Sequence, residues 1–399
     1  MSVIPPIPLR PESELLRLAA HPRPSEADLA RLRLLAGSPD LAWEPLWRKA
    51  EIHGVQPLLA ANLERAGLDA LPAVWRERLS AFQRHNTWRN LYLTGQLARL
   101  IQLLAQNDIQ AMPYKGVALA ALLYGHVARR QLDDLDILVR PADALRARQV
   151  LETQAGFRVI WPNLPLNSAQ ERAHLAAKYD YALERPSDRL VLELHWSVTP
   201  AYLNIPPQRA ALWERLETLT LAGQTMWRFP AEELLLILCA HGANHCWVKL
   251  QNVCDIAALP AALPHLDWER VAELARDWHC QRILALGLRL CAEMFGADCL
   301  PPAVLARAQA DPTAGRLAAQ ALLRFGLEDE HWLAPLEEPL FHWRMRERRR
   351  DRWRYAAAML QPTVKDWASV RLPPRWHFLY YGWRPLRLLL EHGWRLRGG

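Results

Sequence analysis

Glycine is modest in this chain, 17 of 399 residues, so its 30 prolines do not signal low complexity. They read instead as punctuation between many helices and loops. No internal repeat is evident. None of the six cysteines, at 239, 246, 254, 280, 291 and 299, stands in a C-x-x-C pair, which argues against a zinc ribbon or a thioredoxin-like motif. Clustered in one helical-looking stretch, they read as buried free thiols suited to a reducing compartment. The opening residues lack the basic start and apolar run of a secretory signal. No stretch reaches the roughly 18 uninterrupted apolar residues of a membrane span. A cytoplasmic protein without a transmembrane segment is therefore expected. With 51% apolar and 23% charged residues, the chain is not composed like a disordered one.

The net charge of +7 is uneven. Residues 341–399 hold 14 Lys/Arg against 4 Asp/Glu, a balance of +10, so the first 340 carry −3. Bulk attraction to an anionic partner would reside in this basic, aromatic C-terminal extension. Residues 1–106 show helical periodicity over 12–20, 25–35, 43–53 and 74–107. The pattern changes at 107. Residues 109–114, 135–139 and 156–161 read as strands, and 117–124 and 141–154 as helices. Residues 179–184 and 190–195 read as an antiparallel pair around the turn Pro186-Ser187-Asp188. Helical periodicity returns after 206, over 231–245, 252–259, 268–278 and 281–295. The expected architecture is α+β. A small mixed-sheet core (107–200) is flanked by an N-terminal helical region (1–106), a C-terminal helical domain (201–340) and the basic extension (341–399).

The chemistry concentrates in Asp133-Asp134-Leu135-Asp136. Residues two apart on a strand share a face, so Asp134 and Asp136 project together. Two carboxylates so close repel unless a cation lies between them. A hard divalent cation, Mg²⁺ or Mn²⁺, prefers such oxygen ligands. Glu193, an acid at alternating spacing in an apolar strand, supplies a third carboxylate. With three acids, two metals can serve, one activating an attacking hydroxyl and the other a leaving group. A D-x-D pair alone is common and can simply cap a strand on a solvated loop. The order of elements raises its weight: strand, glycine turn at Gly116, helix, basic loop, D-x-D strand, helix, strands, acid on a strand. A glycine at a strand-to-helix turn lets the backbone approach a phosphate.

That order, with Lys115-Gly116, Leu123-Tyr124-Gly125, Arg130 and Asp134-Leu135-Asp136-Ile137-Leu138-Val139, resembles the polymerase-β-like nucleotidyltransferase superfamily, and more closely its poorly characterised bacterial branch. His53-Gly54-Val55, Leu194-His195-Trp196, His241, His245, Asp255, Pro362, Tyr380-Tyr381 and Arg384-Pro385 extend the resemblance over most of the chain. It implies a metal-dependent enzyme moving an NMP group from an NTP to a hydroxyl acceptor, whether small molecule, RNA or protein. Asp134, Asp136 and Glu193 would be its catalytic and metal residues, and Lys115, Gly116 and Arg130 its nucleotide contacts. The wider superfamily follows the turn glycine with Ser or Gly; Val117 stands here.

Other readings stay open. Arg130 is equally a solvated loop arginine. His195 shares Glu193's face and either borders the site or serves structure. His241 and His245, four apart on one helix face, either line the cleft or are satisfied interface histidines. The whole chain is alternatively a non-catalytic scaffold of this fold, or an accessory protein at a membrane surface acting through residues 341–399.

Overall fold

A computed structural model describes residues 10–206, 209–326 and 337–392. The opening residues 1–9 and the last seven of the basic extension lie outside them. Five helices come first: α1 (Pro11–Ala19), α2 (Glu26–Ala36), α3 (Trp43–Ile52), α4 (Gln56–Ala66) and α5 (Ala73–Gln106). Ser25 and Asp28 form a reciprocal cap that starts α2. The α/β unit follows as β1 (Ala111–Pro113), α6 (Gly116–Tyr124), β2 (Leu135–Val139), α7 (Ala144–Ala155), β3 (Arg158–Trp161), α8 (Ser168–Ala177), β4 (Asp180–Arg185) and β5 (Leu190–His195). A hairpin, β6 (Glu217–Leu221) and β7 (Gln224–Arg228), leads into α9 (Ala231–Asn244), α10 (Leu250–Ala262), α11 (Trp268–Asp277), α12 (Gln281–Phe295), α13 (Pro302–Gln309) and α14 (Pro312–Gly326). The described residues end with α15 (Glu337–Arg344), α16 (Arg349–Met359), α17 (Val364–Ser369) and α18 (Tyr380–His392).

The fold is α+β, a mixed five-stranded sheet in the order β1-β2-β5-β4-β3 with helices on either side of it in sequence. β2 runs parallel to β5; the other pairings are antiparallel. All five residues of β2 are buried, as expected of a central strand read as Leu-Asp-Ile-Leu-Val. The sheet has its own core, with Leu135, Ile137, Leu192 and Leu194 packed against Leu97, Leu100 and Leu104 of α5. The helices before and after the sheet share a second core. Leu15, Leu46 and Leu59 lie in one apolar cluster with Leu236, Val253, Leu290 and Leu317. Polar contacts cross that seam: Arg17 donates to the Met294 carbonyl at 3.1 Å, the backbone N–H of Gln251 to the His53 carbonyl at 3.1 Å, and the Cys254 thiol to the Ala20 carbonyl at 3.3 Å. Gly54 follows at φ +71°, a left-handed conformation, and a Cβ there would stand 2.3 Å from the Gln251 side chain. The same Gln251 donates through Nε2 to the Gln131 carbonyl at 3.3 Å, which ties both helical segments to the loop entering β2.

Candidate metal centre

Two neighbouring strands create the site. In the parallel pairing of β2 with β5, Asp136 lies opposite Glu193, so the two acids share one face of the sheet. His195, two residues after Glu193, follows on that face and is fully buried. Its Nε2 meets Asp136 Oδ1 at 3.0 Å and Glu193 Oε2 at 3.2 Å. One ligand atom from each of Asp136, Glu193 and His195 lies within 4.8 Å of the others. Two carboxylates and an imidazole so grouped form a donor set that suits a divalent cation. Asp134 precedes β2 by one residue and stays outside that tight trio. It lies near enough to feel the trio's charge. Burial, then Asp136, then Glu193 push its carboxyl up to about 7.

Positive charge balances the acids. Lys115 Nζ lies 2.9 Å from Asp136 Oδ1, with Lys115 and Asp136 side chains 11% and 5% exposed. The chain turns sharply here: Lys115 ends the β1 side of the turn and Gly116 opens α6 at φ +55°. A Cβ on Gly116 would come 3.7 Å from Asp136 Oδ2, so the glycine brings backbone close to the acids. Val117, in contrast, is fully buried in the sheet core and offers nothing to the cleft. Burial opposes ionisation of Asp136, yet Lys115 and His195 hold its carboxyl far below the usual range. Burial likewise disfavours a charged His195, and its bonds to Asp136 and Glu193 outweigh that, raising it to about 9. The ring sits between Tyr114, edge-on at 5.2 Å, and Tyr179, stacked at 5.6 Å.

Arg130 is not solvated. Its Nε lies 3.2 Å and its Nη2 3.1 Å from Asp255 Oδ2, and Asp255 Oδ1 accepts from Tyr124 at 2.8 Å. The loop that carries it is held by α5. Asn86 Nδ2 donates to the Ala128 carbonyl at 2.7 Å, and Asn90 Nδ2 to those of Val127 at 2.7 Å and Arg130 at 3.1 Å. Asp255 is 2% and Arg130 11% exposed in the side chain. Asp255→Asn is therefore expected to cost about 3 kcal/mol, because it strands a buried guanidinium. Urea denaturation reads the effect; an unchanged midpoint would mean that this pair does not hold α10 to the loop.

His241 stands on the last turn of α9 and His245 caps that helix, ring centroids 4.6 Å apart. His241 is held well below its usual range by burial and by Lys115. His245 is brought down to about 4, again by burial and Lys115. Both therefore remain neutral near neutral pH and lie within electrostatic reach of the acid cluster. The sequence reading passed over Tyr179 and Asp180. Asp180 pairs with His195 across β4 and β5, and alternation along that hairpin is the signal that places it beside the site.

Residues 39–296 match the family described as uncharacterised nucleotidyltransferase. No curated protein matches the chain. Among solved structures, that of an antigenic nucleotidyltransferase-like protein from Paracoccidioides brasiliensis aligns with 55% of this chain and 93% of its own. The two are 17% identical, with a TM-score of 0.34.

Proposed function

The chain belongs to the uncharacterised nucleotidyltransferase family, and we propose that it transfers a nucleoside monophosphate from an NTP to a hydroxyl acceptor with Mg²⁺ or Mn²⁺. The observation that carries this reading is the juxtaposition of Asp136 and Glu193 on adjacent parallel strands, with Asp134 beside them. Asp136, Glu193 and Asp134 would hold the divalent ion, with His195 as the group that orients both acids or, once the ion displaces its proton, as a further donor. A metal bound there supplies charge neutralisation for the triphosphate and for departing pyrophosphate.

The chain's own residues do the rest. Lys115, ion-paired with Asp136 at 2.9 Å, would supply a point charge to a phosphate oxygen. The α6 N-terminus at Gly116 presents backbone N–H groups to the same region. The acceptor oxygen bonds to the α-phosphorus, the bond from that phosphorus to the bridging oxygen of the β-phosphate breaks, and pyrophosphate leaves with the electron pair. Glu193 is 31% exposed where Asp136 is 5%, so it is the acid best placed to take the acceptor's proton. Arg130 supports the site through Asp255. It meets phosphate only if that pair rearranges. His241 and His245, neutral donors or acceptors at the end of α9, suit a cleft wall that selects base or acceptor. The free thiols, five of six buried, suit a reducing cytoplasmic setting.

The test is label transfer. Purified protein, each α-³²P NTP and Mg²⁺ or Mn²⁺ are incubated with fractionated extract, and the labelled product is identified. The expected result is metal-dependent labelling of one acceptor class with release of unlabelled pyrophosphate. Absence of labelling, together with no calorimetric binding of any NTP, would leave a scaffold of this fold.

A further inference from the structure

We infer that the outward face of α18, with the segment before it, is a docking surface for an anionic lipid bilayer. The helix is built inside out. Its arginines turn inward onto Asp366 of α17, which is fully buried: Arg387 Nε lies 2.6 Å from Asp366 Oδ1 and Arg384 Nη1 3.0 Å from Oδ2. Arg387 Nη1 also pairs with Glu391 at 2.6 Å. Tyr381, Leu386, Leu389 and Leu390 turn the other way, 50%, 49%, 70% and 62% exposed. At 100° per residue these four, with Gly382 and Pro385, fill one half of the helix, and between Tyr381 and Leu390 that half bears no charged side chain. A solvated helix places its charges outward. This one spends them on the protein and offers leucine to whatever lies outside.

The composition around the face says what lies outside. The turn just before α18 exposes Trp376 (48%) and Phe378 (66%), flanked by exposed Arg371 and Arg375. Leucine for the acyl boundary, aromatic rings for the headgroup level and arginine for anionic headgroups make up an interfacial anchor. Arg371 and Arg375, both exposed and neither turned onto Asp366, give the charge complement. At 13 residues α18 is too short to span, and among the described residues no helix is long and apolar enough to cross a membrane. It would therefore lie in the interface. A second copy is the poorer occupant, because a two-fold contact on this face sets Arg371 and Arg375 against themselves. The anchor is also firmly mounted: Trp367 and Tyr380 pack with Leu164, Leu166 and Ala173, so it is joined to α8 and through α8 to β4.

Flotation of the full chain with phosphatidylcholine vesicles, with and without phosphatidylserine, tests the assignment. Binding is expected only with phosphatidylserine, falling as salt rises. The triple variant Leu386→Ser, Leu389→Ser, Leu390→Ser is expected to weaken it at least about tenfold without lowering the melting temperature, since all three side chains are exposed in the free protein. Arg371→Glu with Arg375→Glu is a second, independent variant with the same expected loss. No binding to anionic vesicles overturns the inference, as does binding that both variants leave intact. A concentration-dependent dimer that the leucine variant abolishes, seen by sedimentation, would assign the face to a second copy instead.

Discussion

Asp136→Asn is expected to reduce nucleotidyl transfer by roughly 10²–10³-fold or more and to destabilise the metal-free protein by about 3 kcal/mol. The two effects share a cause. Asp136 is the acid on which Lys115, at 2.9 Å, and His195, at 3.0 Å, both converge. An amide preserves its shape but removes the charge that lets a lysine 11% exposed remain an ammonium. Glu193 and Asp134 still face that lysine, which sets the cost at the lower end of what breaking a buried ion pair exacts. Glu193→Gln makes the informative comparison. Glu193 is 31% exposed and shares His195 with Asp136, so its loss should spare most of the stability while still removing a metal donor and the proposed base. Chemical denaturation in chelator and the transfer rate at saturating Mg²⁺ are the two readouts. Unchanged turnover in Asp136→Asn would remove the metal mechanism, and an unchanged denaturation midpoint would remove the account of Lys115.

Much of this arrangement is written locally. Residues 135–139 and 190–195 read as strands from sequence and are β2 and β5 with those bounds, because each is a short apolar run interrupted by acid at strand spacing. The antiparallel pair across Pro186-Ser187-Asp188 is β4 and β5, closed by Arg185 Nε donating to Asp188 at 2.9 Å. Gly125 and Gly156 end their helices at φ +67° and +72°, left-handed positions that the sequence marks with glycine.

The long-range pairings are not written there. That Asp136 falls opposite Glu193 depends on β5 inserting beside β2 in a parallel register, and no residue near either strand specifies it. Arg130 and Asp255 are separated by 125 positions, so an arginine in a basic loop reads as solvated until α10 closes over it. α4 escaped the periodicity because it has almost no polar side: Gln56, Pro57, Leu58, Leu59 and Ala60 are all buried. The β6–β7 hairpin escaped for the opposite reason, with half of its strand residues exposed and three of them Thr, although Ala222-Gly223 at φ +51° and +72° makes the tight turn that such a pair needs.

Asp134→Asn should behave unlike either neighbour: it should abolish transfer yet make the metal-free protein melt higher. Burial, Asp136 and Glu193 all disfavour a charged Asp134, and Lys115, seated on Asp136, offsets only part of that. Above pH 7, where Asp134 is mostly ionised, the upper bound is the roughly 4 kcal/mol of two unit charges about 4 Å apart at an effective dielectric near 20; Asp134 stands outside the tight trio, and Lys115 and water screen part of the repulsion. The gain from an uncharged isostere is then on the order of 1–2 kcal/mol, a rise of about 1–2 °C for a chain of this length. Added Mg²⁺ or Mn²⁺ should reverse the ranking. Metal binding to the folded wild type adds about 2.7 kcal/mol at a hundred times its dissociation constant. The variant, one carboxylate short, should respond far less. Thermal melts of both proteins across a metal titration would display the crossing. Parallel curves would mean that Asp134 carries no strain from its acidic neighbours and takes no part in holding the ion. The repulsion that weakens the empty protein and the affinity that the site has for a cation are one quantity measured from two sides, so an acid kept here at a cost to stability is accounted for by the ion it binds.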